Sequence, residues 1–161
     1  MENPASSDKL TRSQVLGLDL ATITGYYSAH GHGSWNFRPG KERNGNKPYF
    51  AFYTTLKTFI RQHGIRKIVT EDINFSAHNS DYRKLNELRG IILLLVEELG
   101  LLPVEFVNVR TLKRWATGDG NADKRMMMAA CVNHYRFHPQ TSDEADACHL
   151  YYYFLRKFRI V

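Results

Sequence analysis

Gln14-Val15-Leu16-Gly17-Leu18-Asp19-Leu20 is a short apolar run that closes on a carboxylate, and it decides how the rest of the chain is read. Continuous aliphatic residues over this length suit a strand buried on both faces. Outward from it, residues 25–30 (GYYSAH) and 33–37 (GSWNF) are strand-like, with Gly31-His32-Gly33 between them as a turn signal. Together the three runs predict an antiparallel meander. His30 and His32 sit on alternate positions and mark the rim of that turn.

Beyond a Gly/Pro/Asn-rich loop, Pro48 suits a first helical position, and Tyr49, Phe52, Tyr53, Leu56, Phe59 and Ile60 follow at helical spacing before Gly64. Residues 65–71 (IRKIVTE) form a fourth strand that again ends in a carboxylate. A polar loop leads into a helix over 82–99, whose Leu85, Leu88, Ile92, Leu95 and Leu99 make one stripe closed by Gly100. Residues 104–108 predict a fifth strand, 111–116 a short helix and 122–135 a longer one. The last helix starts at Thr141, three residues before Glu144 in the capping-box pattern, and runs to about residue 158. Helical crossovers make the later strands parallel, so the expected class is α/β with a five-stranded mixed sheet flanked by helices, its first three strands antiparallel.

The chain of 161 residues is long enough for one ordinary core. Residues 1–13 have no apolar segment and read as a flexible polar tail, with one domain over 14–161. The longest apolar run, residues 91–96, is far short of the ~20 needed to span a membrane, so no membrane partner is expected. Cys131 and Cys148 lie inside apolar helical patterns, the setting of buried free thiols in a reducing compartment, and cytoplasm is the expected location, in a bacterial cell or in a host if the source is viral. A zinc site from Cys131, His134, His138 and Cys148 ranks low because the spacing is not that of a common module.

Lys and Arg outnumber Asp and Glu by 22 to 16, which favours a polyanionic partner. The excess is grouped: Arg38, Lys41, Arg43 and Lys47 in one loop, Arg83, Lys84 and Arg89 after a second, and Lys113, Arg114, Lys124 and Arg125 around a third. Such groups track phosphates with little sequence preference.

Asp19 and Glu71 each end a strand, at the sheet edge where α/β proteins commonly bind ligands. Asp143 and Asp146 are three apart at a helix start and share one face. A strand may end in Asp for no functional reason, and acids in a first helical turn are favoured by the macrodipole. As a set, however, four carboxylates converging at one edge require a cation between them, and hard oxygen ligands select Mg²⁺ or Mn²⁺.

These residues resemble the RuvC family of Holliday-junction resolvases. Gly17-Leu18-Asp19 with Thr24-Gly25-Tyr26 is similar to that family's first strand and turn, and Val69-Thr70-Glu71 to its second acid. The segment from Thr117 through Gly118-Asp119-Gly120-Asn121 to Lys124 resembles its glycine-lysine segment, and Asp143-Glu144-Ala145-Asp146 its closing acid pair. Leu20-Ala21 stands where the family has Pro-Gly, and Phe75 is displaced by one position from the aromatic after the second acid.

The resemblance implies an RNase H-like fold, a homodimer, and a four-way DNA junction nicked on two symmetric strands. It implies Asp19, Glu71, Asp143 and Asp146 as metal ligands and catalytic acids, with Lys124 acting near the scissile phosphate and Lys113 as a second basic contact. Lys124 follows a glycine turn at a helix start, where backbone amides also favour phosphate. Two Mg²⁺ ions per site, Mn²⁺ substituting, about 3.5 to 4 Å apart would serve an in-line displacement by water. Other branched DNA, flaps or RNA:DNA hybrids are alternative substrates, because fold alone does not choose among them. A non-catalytic junction-binding protein is the alternative from another class.

Overall fold

A computed structural model describes residues 9–38, 48–73 and 79–161. The elements are β1 (Val15–Asp19), β2 (Ile23–Ser28), β3 (Gly31–Asn36), α1 (Tyr49–His63), β4 (Lys67–Glu71), α2 (Asn79–Leu99), β5 (Glu105–Val107), α3 (Val109–Thr117), α4 (Lys124–Tyr135) and α5 (Ser142–Lys157). The sheet order is β3-β2-β1-β4-β5; β1 to β3 are antiparallel, and β4 and β5 run parallel to β1. The expected mixed sheet and its opening meander are both present.

Alternation along the strands divides the core between two faces. On one face Leu16, Leu18 and Ile68 meet Phe52, Leu56 and Ile60 of α1 and Leu88, Ile92 and Leu95 of α2. On the other, Val15, Val69 and Val107 meet Leu112 and Ala116 of α3, Met127 of α4, and Leu150, Tyr151 and Phe154 of α5. The result is three layers, helices on both sides of one sheet.

Several boundaries differ from the sequence reading. Gly31-His32-Gly33 is not a turn but the start of β3, pairing with Ser28, Tyr27 and Tyr26, while the reversal falls at Ala29-His30. Gly31 and Gly33 have φ of 147° and 154°, extended conformations open to glycine, so the ladder continues through a sequence that looks like a loop. Asn108 caps α3 by accepting from the N–H groups of Arg110 and Thr111, which starts that helix before Thr111. Within the segment read as a tail, Leu10 packs on the α5-side core, residues Arg12–Gln14 form one 3-10 turn, and Tyr151 donates a hydrogen bond to the Arg12 carbonyl.

Candidate metal centre

Parallel pairing of β1 and β4 brings their carboxyl ends to one sheet edge, so Asp19 and Glu71 end neighbouring strands. Helix α5 reaches the same edge because two strand glycines admit its backbone. A Cβ on Gly17 would stand 2.3 Å from the Ala147 carbonyl oxygen, and one on Gly25 would stand 2.1 Å from that of Asp143. Gly25 is also the register partner of Asp19. The first turn of α5, carrying Asp143 and Asp146, is thereby laid beside the end of β1.

The electrostatics reflect this gathering. Burial pushes the Asp19 carboxyl well above the usual carboxylate range, and the charges of Glu71, Asp146 and Asp143, with a hydrogen bond to Asp143, push it further. Burial and the charge of Asp146 push Glu71 up to about 7, against the pull of the Lys113 ammonium. Burial pushes Asp146 up to about 6; His149 opposes this, Asp143 adds to it and Lys113 opposes it. Oδ1 of Asp146 is buried with no hydrogen-bond partner.

A buried carboxylate oxygen without a donor, among three further acids, is unfavourable unless a cation joins them. Among the described residues, no group of three or more His, Cys, Asp or Glu is arranged to hold a metal ion. The all-carboxylate donor set is of the kind that fits a hard divalent cation. A cleft of about 140 Å³ opens beside the acids, lined by Asp19, Thr70, Glu71 and Asp72 with Leu20, Ile73, Leu85 and Val109. A larger hollow of about 550 Å³ between α3 and α4 is lined by none of the four acids.

The cations expected around the site divide into groups. Among the described residues, Lys113 is the cation whose charge reaches both Glu71 and Asp146. Lys124 is exposed at the first residue of α4, and the preceding Asp123 caps that helix by accepting the Met126 N–H, so that amide is not free for a phosphate. Arg83, Lys84 and Arg125 are exposed, and the Arg114 guanidinium lies against Gly120. Arg89 is committed inside the molecule: its Nη1 donates to Asp72 Oδ1 at 2.9 Å and its guanidinium lies 3.8 Å over the Phe106 ring. Lys41, Arg43, Lys47 and Phe75 lie outside the described residues.

Some contributors were not apparent in the sequence. His149, one helical turn after Asp146, faces it electrostatically and also meets Cys131 Sγ at 3.2 Å and the Met127 carbonyl at 2.8 Å. The i, i+3 spacing was a usable signal for the first of these contacts. Both cysteines are buried and free, as expected. His134 bonds the Ala116 carbonyl, and the described residues form no zinc site with it.

A meander followed by two parallel strands, sandwiched by helices and carrying acids at the shared edge, is the RNase H-like fold. The family model described as crossover junction endodeoxyribonuclease RuvC matches residues 41–151, and the chain belongs to the RuvC family. The crossover junction endodeoxyribonuclease RuvC of Koribacter versatilis (strain Ellin345) is 29% identical over 107 residues, which is 62% of this chain and 63% of that protein's length. The Thermus thermophilus RuvC structure aligns with a TM-score of 0.69 at 16% identity, covering 90% of this chain and 96% of that one. The same protein in complex with a Holliday junction substrate gives 0.69 at 17% identity, with 90% and 95% covered. The yeast mitochondrial Holliday junction resolvase Ydc2 gives 0.62 at 12% identity, with 93% and 80% covered. The family match begins after β1, so Asp19 joins the other acids through the sheet and not through that match.

Proposed function

We propose that the protein is a structure-selective DNA endonuclease that cuts four-way junctions by divalent-metal-assisted phosphodiester hydrolysis, with residues 14–161 as the nuclease domain. The observation that carries this reading is the unpartnered buried oxygen of Asp146 beside three further acids on a RuvC-family sheet. The junction substrate named for T. thermophilus RuvC supports the substrate class.

Asp19, Glu71, Asp143 and Asp146 would hold Mg²⁺, or Mn²⁺ in its place, as two ions per site. When bound, the ions supply an activated water and neutralise charge on the leaving oxygen. The residues of the chain do the rest. Glu71 and Asp146, held near neutral pKa, must release their protons before they can ligate. The Lys113 ammonium favours that release; Lys124 would act near the scissile phosphate, with Lys113 as the second basic contact. Arg83, Lys84, Arg114 and Arg125 would track the backbone of the DNA arms, with Lys41, Arg43 and Lys47, while Phe75 would stack at the junction. Arg89 supports the site by fixing Asp72 next to Glu71.

The homodimer expected of the family has a candidate surface on α2, where Leu93 and Leu94 are 43% and 57% exposed. Ile91 and Val96 of the same helix pack partly against the core of the same chain. Among the described residues no helix is long and apolar enough to cross a membrane. Two free buried thiols support a cytoplasmic location.

The test compares cleavage of a synthetic four-way junction, a flap, a plain duplex and an RNA:DNA hybrid by one preparation, with Mg²⁺ and with EDTA. Metal-dependent preference for the junction is expected. Preference for the hybrid would overturn the substrate, and binding without cutting would favour the non-catalytic alternative. Asp146→Asn is expected to keep junction binding and to reduce cutting by about 10³-fold or more, the scale of losing a group that acts only in the reaction.

A further inference from the structure

We infer that His32 is a positioning residue for the metal centre: through the buried carboxylate of Glu144 it tethers the first turn of α5 to β3 and so aligns Asp143 and Asp146. The inference rests on the reading of those acids as metal ligands.

Glu144 lies in the sequence between the two acids of α5, and its side chain is 2% exposed. Both of its oxygens are engaged, Oε1 by His32 Nδ1 at 2.5 Å and Oε2 by the Gln140 N–H at 2.6 Å. The capping-box pattern implied a bond back to the Thr141 N–H. Instead the carboxylate reaches one residue further, to Gln140, and its other oxygen serves β3. Only the Thr141 half of the motif forms, with Oγ1 accepting from the Glu144 N–H at 3.2 Å.

A second link joins the same two elements, from Ser34 Oγ to Thr141 Oγ1 at 3.2 Å. His32 and Ser34 are two apart on a strand and share a face. The imidazole is itself held, stacked on Tyr27 at 5.7 Å between centroids and edge-on to Phe137 at 4.7 Å. On the opposite flank, Gly25 of β2 lets the Asp143 carbonyl come into backbone contact. The turn that carries Asp143 and Asp146 is therefore fixed from two strands, by close approach on β2 and by a tether from β3.

Loss of the His32 donor leaves one oxygen of a buried carboxylate without a partner. Movement of Glu144 toward water relieves this and carries the turn with it. The acids on either side of Glu144 then lose their alignment, while the sheet and both hydrophobic layers stay as they are.

The experiment measures Mn²⁺ uptake by the whole protein without DNA, from the loss of the free-ion signal in electron paramagnetic resonance. Thermal melting and junction affinity in metal-free buffer are recorded in parallel. His32→Phe keeps a ring against Tyr27 and Phe137 but has no donor, whereas His32→Asn loses the ring and keeps an N–H near the position of Nδ1. The Phe variant should bind Mn²⁺ about tenfold or more weakly and the Asn variant within about threefold of wild type, with junction affinity little changed in both. Wild-type Mn²⁺ affinity in His32→Phe, or equal weakening in His32→Asn, would overturn the tether. A wild-type protein that takes up no Mn²⁺ would overturn instead the assignment of the acids themselves.

Discussion

The two faces of the sheet are covered in different ways. Toward α1 and α2, leucine, isoleucine and phenylalanine side chains interdigitate, and contact is made through bulk. Toward the start of α5, Gly17 and Gly25 bring backbone against backbone, and contact is made through its absence. The first arrangement tolerates small repacking and supplies stability in proportion to buried apolar area. The second has no slack, so it sets where Asp143 and Asp146 stand relative to Asp19 and contributes accuracy more than stability. Both faces carry an apolar core, and on the α5 side the glycine approach adds the alignment of the acids to that packing.

The sharpest way to break this comparison is Gly25→Ala. Its new Cβ would meet a backbone oxygen at 2.1 Å, which no rotamer change relieves. A displacement of the α5 turn by about 1 Å should reduce junction cutting about 100-fold and lower stability by about 1 to 3 kcal/mol. Cutting at the wild-type rate would show that the close approach is not needed. Leu95→Ala on the other face should behave oppositely. It should cost about 2 to 5 kcal/mol in chemical denaturation, with Mn²⁺ affinity of the folded protein unchanged.

A pH series sharpens the same contrast, because the raised carboxyl pKa values belong to the α5 side. In the metal-free fold Glu71 titrates near 7 instead of 4.5, so it holds a proton over a range in which the unfolded chain has released it. Stability should therefore fall as pH rises from about 4.5 through 7, and Mn²⁺ should restore it. Metal affinity should rise across about pH 5.5 to 7.5, since only deprotonated Glu71 and Asp146 ligate. A flat isotherm series over that range would contradict the clustering. The smallest effect is expected from Lys113→Met, which removes a charge that lowers both pKa values and should move the affinity profile to higher pH by less than about one unit. No movement would place Lys113 outside the site's field.

Much of this was readable without coordinates. Asp19 and Glu71 close apolar runs, and both runs became adjacent strands, because a buried strand has to end where polar groups begin. Asp143 and Asp146 follow a capping threonine, and Thr141 does cap α5. Other readings failed where local composition misleads. Gly-His-Gly has the residues of a turn but continues β3, and nothing in the local composition around Arg89 indicated its contacts with Asp72 and Phe106. His32 gave no sign of its role, since its partner lies 112 residues away.

Periodicity and chain punctuation are properties of neighbouring residues, so strands, helices, caps and the acidic residues themselves could be recovered from the order of amino acids. The distances among those acids, the cation that reaches them, and the histidine that ties the final helix to the edge strand depend on contacts between segments far apart in the chain. Such contacts arise when burial of both sheet faces forces α5 down onto two glycines, and no local pattern encodes that closure.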